Sequence, residues 1–157
     1  MKKLITTLGV IALAACHSSG PGATMTPAPT PVTTTGAQTG AADPISAVRG
    51  FMTAAKQQDL QAMGAIWGDA NGPARDAINR DELEKRELIM ITCLKHDSYD
   101  IVGDAPSTGG GRAIAVNLRL GPVAHSTSFQ VVRGPANRWY VQKFDLESLE
   151  QICAQRG

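Results

Sequence analysis

Residues 113–133 read AIAVNLRLGPVAHSTSFQVVR, and this stretch decides the fold. Its apolar residues occupy alternate positions, which is the pattern of strands with one buried face. Gly121-Pro122 divides it, because glycine supplies the positive φ at the first central position of a type II′ turn and proline can occupy the second. The stretch therefore predicts an antiparallel hairpin with both apolar sets on one face. The register that follows pairs Leu120 with Val123, Leu118 with His125, Val116 with Thr127, and Ile114 with Phe129.

Two shorter runs extend this hairpin into a meander. Tyr99 to Gly103 is predicted to be a first short strand, and Trp139 to Phe144 a last one. The segment Arg133-Gly134-Pro135-Ala136-Asn137 predicts the turn before the last strand. Gly109-Gly110-Gly111 fits neither the GxGxxG nor the P-loop pattern, so it predicts a flexible loop rather than a phosphate site.

Helical periodicity precedes and follows the strands. Asp43-Pro44 predicts the start of a helix, because aspartate caps helices and proline is favoured at the first helical position. Asp59 is predicted to cap a second, shorter helix rather than to act as a general base, and residues 68–73 are predicted to form a loop. A third helix is predicted from Asn79 to Leu94, and a last one after Asp145. The stripes expected to be buried are Ile45, Val48, Phe51, Met52 and Ala55; Leu60, Met63, Ile66 and Trp67; Leu83, Leu88, Ile91 and Leu94; and Leu146, Leu149 and Cys153.

The first sixteen residues have the pattern of an export signal. Lys2 and Lys3 precede an apolar run from Leu4 to Ala12, which is shorter than the roughly 20 residues that a helix needs to cross a bilayer. Leu13-Ala14-Ala15-Cys16 follows and resembles the lipobox of bacterial lipoproteins. The resemblance implies that residues 1–15 are a signal peptide and that Cys16 carries a diacylglyceryl group and often an amide-linked acyl chain such as palmitate. Two or more chains would hold the protein firmly on the membrane.

An ordinary cleavage after Ala12-Leu13-Ala14 is the alternative, and it would leave Cys16 as a free thiol. His17, directly after the lipidated cysteine, is similar to lipoproteins that are sorted to the outer membrane. The resemblance therefore implies a location in the bacterial cell envelope, on the outer membrane and facing the periplasm or the exterior.

Residues 16–43 are predicted to be a disordered tether. From His17 to Ala42 the composition is mostly Ser, Thr, Pro, Gly and Ala, without charged residues and with almost nothing large enough to bury. Pro27-Ala28-Pro29-Thr30-Pro31 favours extended geometry, which would hold the following domain away from the membrane; a proline-rich recognition motif is the alternative. Residues 44–157 are predicted to form one α+β domain.

Charge and cysteine content exclude several classes of protein. Without Lys2 and Lys3, 13 basic residues stand against 14 acidic ones and are interspersed with them, so no nucleic-acid partner is predicted. The charged run from Asp81 to Glu87 predicts a solvated helix face.

Cys93 and Cys153 remain as a pair in an oxidising compartment and are predicted to form a disulfide, with two separately buried thiols as the alternative. No CxxC or HxxxH spacing occurs and the histidines are scattered, so neither a metal nor a cofactor is predicted.

The order of elements also resembles a known superfamily. The run AVRGFMTAA at residues 47–55 and the following Asp59-Leu60, with the layout of residues 44–144, resemble the nuclear transport factor 2-like superfamily. The resemblance implies a curved antiparallel sheet that wraps a helix into a cone, to which the C-terminal helix from Asp145 is an addition. The predicted fold class is therefore α+β, with N-terminal helices packed on a curved, cone-like sheet and a C-terminal helix; a generic α+β sandwich is the alternative.

The sequence predicts the function in less detail than the fold. Enzymes of that superfamily, such as ketosteroid isomerase and scytalone dehydratase, use carboxylates, histidines or tyrosines that project into the cone, but no motif here matches theirs. His125 is expected on the apolar face of the hairpin, with Tyr99, Tyr140 and Asp100 as neighbours in a candidate pocket. The preferred hypothesis is a non-enzymatic module that binds a small hydrophobic ligand or an envelope protein on the concave side of the sheet. The alternatives are an isomerase or hydrolase that uses His125 with a Tyr or Asp, and a structural role through dimerisation of the exposed sheet face.

Overall fold

A computed structural model of the chain describes residues 38–154. The predictions for the signal peptide, Cys16 and most of the tether lie outside the described residues. The described part is an α+β fold of helices, a four-stranded antiparallel sheet and a C-terminal helix, as predicted. The helices are α1 (Pro44–Gln57), α2 (Leu60–Ile66), α3 (Ala74–Ala77), α4 (Arg80–Cys93) and α5 (Glu150–Ala154).

The predicted starts of α1, α2 and α4 are confirmed by their caps, whereas the last helix begins at Glu150 and not directly after Asp145. The carboxylate of Asp43 accepts a hydrogen bond from the Ser46 N–H at 2.8 Å, and that of Asp59 accepts one from Ala62 at 3.0 Å. The Asn79 side chain caps α4 in the same way. Helix α3 was not predicted, because one turn is too short to display a periodic pattern.

The main sheet has the order β3-β4-β5-β6, with β3 at Ser98–Pro106, β4 at Arg112–Leu120, β5 at Val123–Arg133 and β6 at Trp139–Phe144. All four predicted cross-strand pairs of the hairpin are confirmed, and Gly121 has a φ of 57°. Strand β3 is longer than predicted and contains a bulge between Ile101 and Gly103. The predicted loop at 68–73 contains two short paired strands, β1 (Gly68–Asp69) and β2 (Gly72–Pro73).

The core lies between α1 and one face of the sheet, which we call the inner face. Its buried side chains are Ile114, Val116, Leu118, Phe129, Val131 and Val141. Phe51 of α1 packs against Phe129 and Phe144, with ring centroids 6.2 and 6.3 Å apart. Val48 and Met52 are fully buried beside it. Helix α1 therefore fills the space over the middle of the inner face.

The predicted stripe on α4 was partly wrong. Leu88 is 50% exposed, whereas Glu87 is 2% exposed and Met90 is also buried. The buried positions 83, 87, 90, 91 and 94 follow the i, i+4, i+7, i+8 spacing of a helix face, and Leu88 lies outside it. Glu87 is therefore a core position and not part of a solvated face.

Two further boundaries differ from the sequence-based prediction. Leu146 is 46% exposed, and Ile152 takes its place in the core beside Leu149, because a 3₁₀ turn at Glu147–Leu149 precedes α5 and changes the helical phase. At the other end of the domain, Ala41 pairs with Trp139 of β6. The folded part therefore begins before Pro44.

Candidate binding groove

The structure does not bring the three residues of the predicted pocket together. Tyr99 and His125 both pair with Leu118, one on each side of that residue, so both lie on the inner face. Tyr140 pairs with Val132 and lies on the opposite face of the sheet, where its hydroxyl is 3.1 Å from the Thr39 hydroxyl. The cause is a bulge in the β5–β6 ladder, since one extra residue moves every following side chain of the strand to the other face.

The acid–base neighbours predicted for His125 are also separated from it. Asp100 is exposed and pairs with Asn117, on the opposite face from Tyr99 and His125. Leu118 stands between His125 and Tyr99, so the two side chains are two strand spacings apart, about 10 Å. The His125 Nε2 atom is buried and has no hydrogen-bond partner among residues 38–154. The inner face therefore holds an isolated imidazole and not an assembled pair.

An open groove lies where α1 meets the first residues of β3, at the end of the inner face that Phe51 does not cover. Its volume is about 320 Å³. It is lined by Met52, Thr53, Lys56 and Gln57 of α1 and by His96, Ser98 and Tyr99. The groove thus combines an apolar floor, formed by the partly exposed Tyr99 ring with the fully buried Met52 behind the surface, with several hydrogen-bonding side chains at its rim.

His96 is held rigidly in this groove. Its side chain is 8% exposed, and its Nδ1 atom lies 2.7 Å from the Leu94 carbonyl oxygen. Because a carbonyl can only accept, Nδ1 is the donor of this hydrogen bond. The His96 ring also packs edge-on against Tyr99, with centroids 5.4 Å apart. Both rings are fixed before any ligand arrives.

Lys56 supplies the positive charge of the groove. Its ammonium donates a hydrogen bond to the Asp97 carbonyl oxygen at 2.6 Å. The Asp97 carboxylate instead accepts from the Gly121 N–H at 2.7 Å. No carboxylate of the described residues lies within ion-pair distance of the Lys56 ammonium. Sequence reasoning missed Lys56 and treated His96 only as a scattered histidine, although a lysine in the last turn of an apolar helix was a visible signal.

A second depression, of about 340 Å³, lies beside the disulfide. It is lined by Leu88, Ile89 and Thr92 and by Cys93 and Cys153. The structure joins these two cysteines, with their Cα atoms 4.2 Å apart, and so links the end of α4 to α5. Apart from the Thr92 hydroxyl the lining is apolar, and none of the described residues that form it is charged.

Glu87 is the strongest electrostatic anomaly in the described part of the chain. Burial raises the pKa of its carboxyl to about 7, and the negative charges of Glu84 and Asp59 add to the effect. Its Oε1 atom has no hydrogen-bond partner within residues 38–154. A Cβ atom at Gly64 of α2 would lie only 2.9 Å from that oxygen, so glycine allows the close approach of α2 and α4.

Within residues 38–154 no group of three or more His, Cys, Asp or Glu side chains could hold a metal ion. In the same range, no helix has the length and apolar character needed to cross a bilayer. Neither a protein-family model, nor a curated protein, nor a solved structure matches this chain.

Proposed function

We propose that this chain is a bacterial lipoprotein whose domain is a non-enzymatic binding module in the cell envelope. On this proposal Cys16 carries the lipid anchor, residues 17–37 act as the tether, and the protein resides on the outer membrane. The observation that carries the binding role is the groove between α1 and β3, which combines an apolar floor with fixed polar groups. Such a combination is typical of sites for small molecules.

The finer fold proposal is a cone of the nuclear transport factor 2-like type. Two features support it: α1 packs against the inner face, and two ladders contain bulges, which bend strands. The paired strands β1 and β2 are very short, which departs from the early strand expected in that superfamily. Since Phe51, Met52 and their neighbours fill the middle of the inner face, the ligand is expected in the groove at its end and not in an interior cavity.

An isomerase or hydrolase that uses His125 is the second candidate. The buried Nε2 atom without a partner in the described part of the chain favours it, because such an atom can accept a proton. Leu118 separates His125 from Tyr99, and Asp100 lies on the other face, so this candidate receives less support than binding.

The anchor is tested by replacing Cys16 with alanine. We expect the intact mass of the wild-type chain from bacterial membranes to correspond to residues 16–157 plus acyl groups, because the lipobox directs cleavage before Cys16. The Cys16→Ala chain should lack this mass and retain its signal peptide. A wild-type chain that is cleaved after Ala14 and carries an unmodified Cys16 would contradict the proposal.

The groove is tested by filling it. Thr53 is exposed on α1 at the groove rim, so Thr53→Trp should exclude a ligand without disturbing the core. We expect native mass spectrometry of the wild-type lipoprotein in mild detergent to show an additional bound mass that Thr53→Trp loses.

Thr92→Trp is the matched control, because it fills the depression beside the disulfide. It should retain the ligand. If Thr92→Trp loses the bound mass and Thr53→Trp keeps it, the ligand binds in the depression beside the disulfide and not in the groove. A wild-type chain without any bound mass would contradict the small-ligand proposal. The same spectra report whether the chain is a monomer or a dimer.

A further inference from the structure

The charge in the groove restricts what can bind there. The Lys56 ammonium uses one of its three N–H donors on the Asp97 carbonyl oxygen, which leaves two donors for a ligand. The described residues provide no carboxylate within ion-pair distance to neutralise it. An anion that reaches the groove would therefore form charge-assisted hydrogen bonds without displacing an existing ion pair.

The number of cationic side chains in the groove favours a ligand with a single negative charge. Among the described residues, Lys56 is the one Lys or Arg whose side chain lines the groove. Phosphate groups are typically bound by arginine forks or by the N–H groups of a helix N-terminus, and among the described residues neither lines this groove. The carbonyl end of α1, which does meet the groove, opposes any anion, so the attraction has to come from the Lys56 ammonium. A carboxylate carries the charge that one ammonium can balance, and its two oxygens match the two remaining donors.

The floor of the groove favours an apolar body next to that charge. Met52 is fully buried at the base, and the ring of Tyr99 is held against His96. A methionine thioether and an aromatic ring adapt well to alkyl chains and flat rings. A volume of about 320 Å³ suits a small molecule rather than a peptide helix.

We propose that the groove binds a small amphipathic carboxylate, with its carboxylate on Lys56 and its apolar body over Met52 and Tyr99. This rests on the proposed function, in which the groove is a binding site, and it names the ligand class. A lysine in the last turn of a helix also stabilises the helix dipole. That role alone would give Lys56 no influence on which ligand is preferred.

The test compares three water-soluble probes of equal chain length: hexanoate, hexan-1-ol and hexylammonium. The full mature lipoprotein is placed in nanodiscs, with empty nanodiscs as the blank, and binding is followed by the methyl resonance of Met52, which Met52→Leu assigns. We expect hexanoate to bind at least about tenfold more tightly than either other probe, as one charge-assisted hydrogen bond would produce. Lys56→Gln should bring the three affinities within about twofold of each other.

Lys85→Gln is the matched control, because Lys85 is exposed on α4 and does not line the groove. It should keep the tenfold preference. Equal binding of all three probes to the wild-type chain, or a preference that survives Lys56→Gln, would overturn the carboxylate proposal while leaving the groove as a binding site. If no probe moves the Met52 resonance, the proposed binding function of the groove fails as well.

Discussion

Replacing both Cys93 and Cys153 with alanine is expected to lower the free energy of unfolding by about 4 kcal/mol, which is what the chain-entropy model gives for a loop of this length. The two residues are 60 positions apart in sequence, and the disulfide ties α5 to the end of α4. Without it, the unfolded chain gains conformational freedom, and the short helix α5, whose buried residue is Ile152, loses its covalent link to α4. Urea unfolding of the full chain measures the change.

Reduction of the wild-type chain is the control for this experiment. The reduced protein should unfold at the same urea concentration as the double alanine variant, and the variant should not respond to reductant. Two titratable thiols in the oxidised, folded wild-type chain, in addition to any at Cys16, would contradict the pairing and restore the alternative of separately buried cysteines.

Replacing Glu87 with glutamine is expected to stabilise the protein at pH 8 by about 3 kcal/mol, since a pKa difference of about 2.5 units at about 1.4 kcal/mol per unit gives about 3.5 kcal/mol and the buried amide keeps a small desolvation cost. The carboxyl ionises at about pH 7 in the folded chain, against a reference pKa of 4.5. Between these values the unfolded state releases its proton first, so wild-type stability falls as the pH rises from 4.5 to 7 and then levels off. Glu87→Gln removes this fall.

Urea unfolding curves measured from pH 4 to pH 8 test this. The free energy of unfolding should fall with pH in the wild-type chain but not, through this group, in Glu87→Gln. Glu84→Gln is the matched control, because Glu84 is exposed on the same helix and contributes to the raised pKa through its charge. In Glu84→Gln the free energy of unfolding should still fall with pH, but the fall should be centred at a lower pH because the pKa of Glu87 is raised less. A Glu87→Gln variant with the same pH dependence as the wild-type chain would show that the Glu87 carboxyl is solvated or paired.

The parts of the fold that follow from local rules were predictable from sequence. The helix caps and the β4–β5 hairpin depend on residues that are neighbours along the chain, and the Gly121-Pro122 turn sets the register of every pair beyond it. The face of Tyr140 was not predictable from alternation alone, because a bulge moves it. The three-residue spacing between Val141 and Phe144, which both face the core, is the trace of that bulge in the sequence.

The groove depends on contacts between distant segments, and no local pattern predicts it. Lys56 and Asp97 are 41 positions apart, and they meet because the chain between α4 and β3 passes the end of α1. Of the predicted pocket, only Tyr99 lies in the groove. Glu87 was misplaced for a different reason: its charge argued for exposure, while its helical position required burial.

The pairing of Ala41 with β6 has a mechanical consequence. Ala41 and Trp139 exchange two backbone hydrogen bonds, of 2.8 and 2.9 Å, and Arg138 donates to the carbonyl of Gly40 at 2.8 Å. If the chain is anchored through Cys16 as proposed, tension on the tether reaches these bonds before it reaches α1. Because these hydrogen bonds lie between the tether and α1, a pull on the tether would have to break them before it could unwind the first helix.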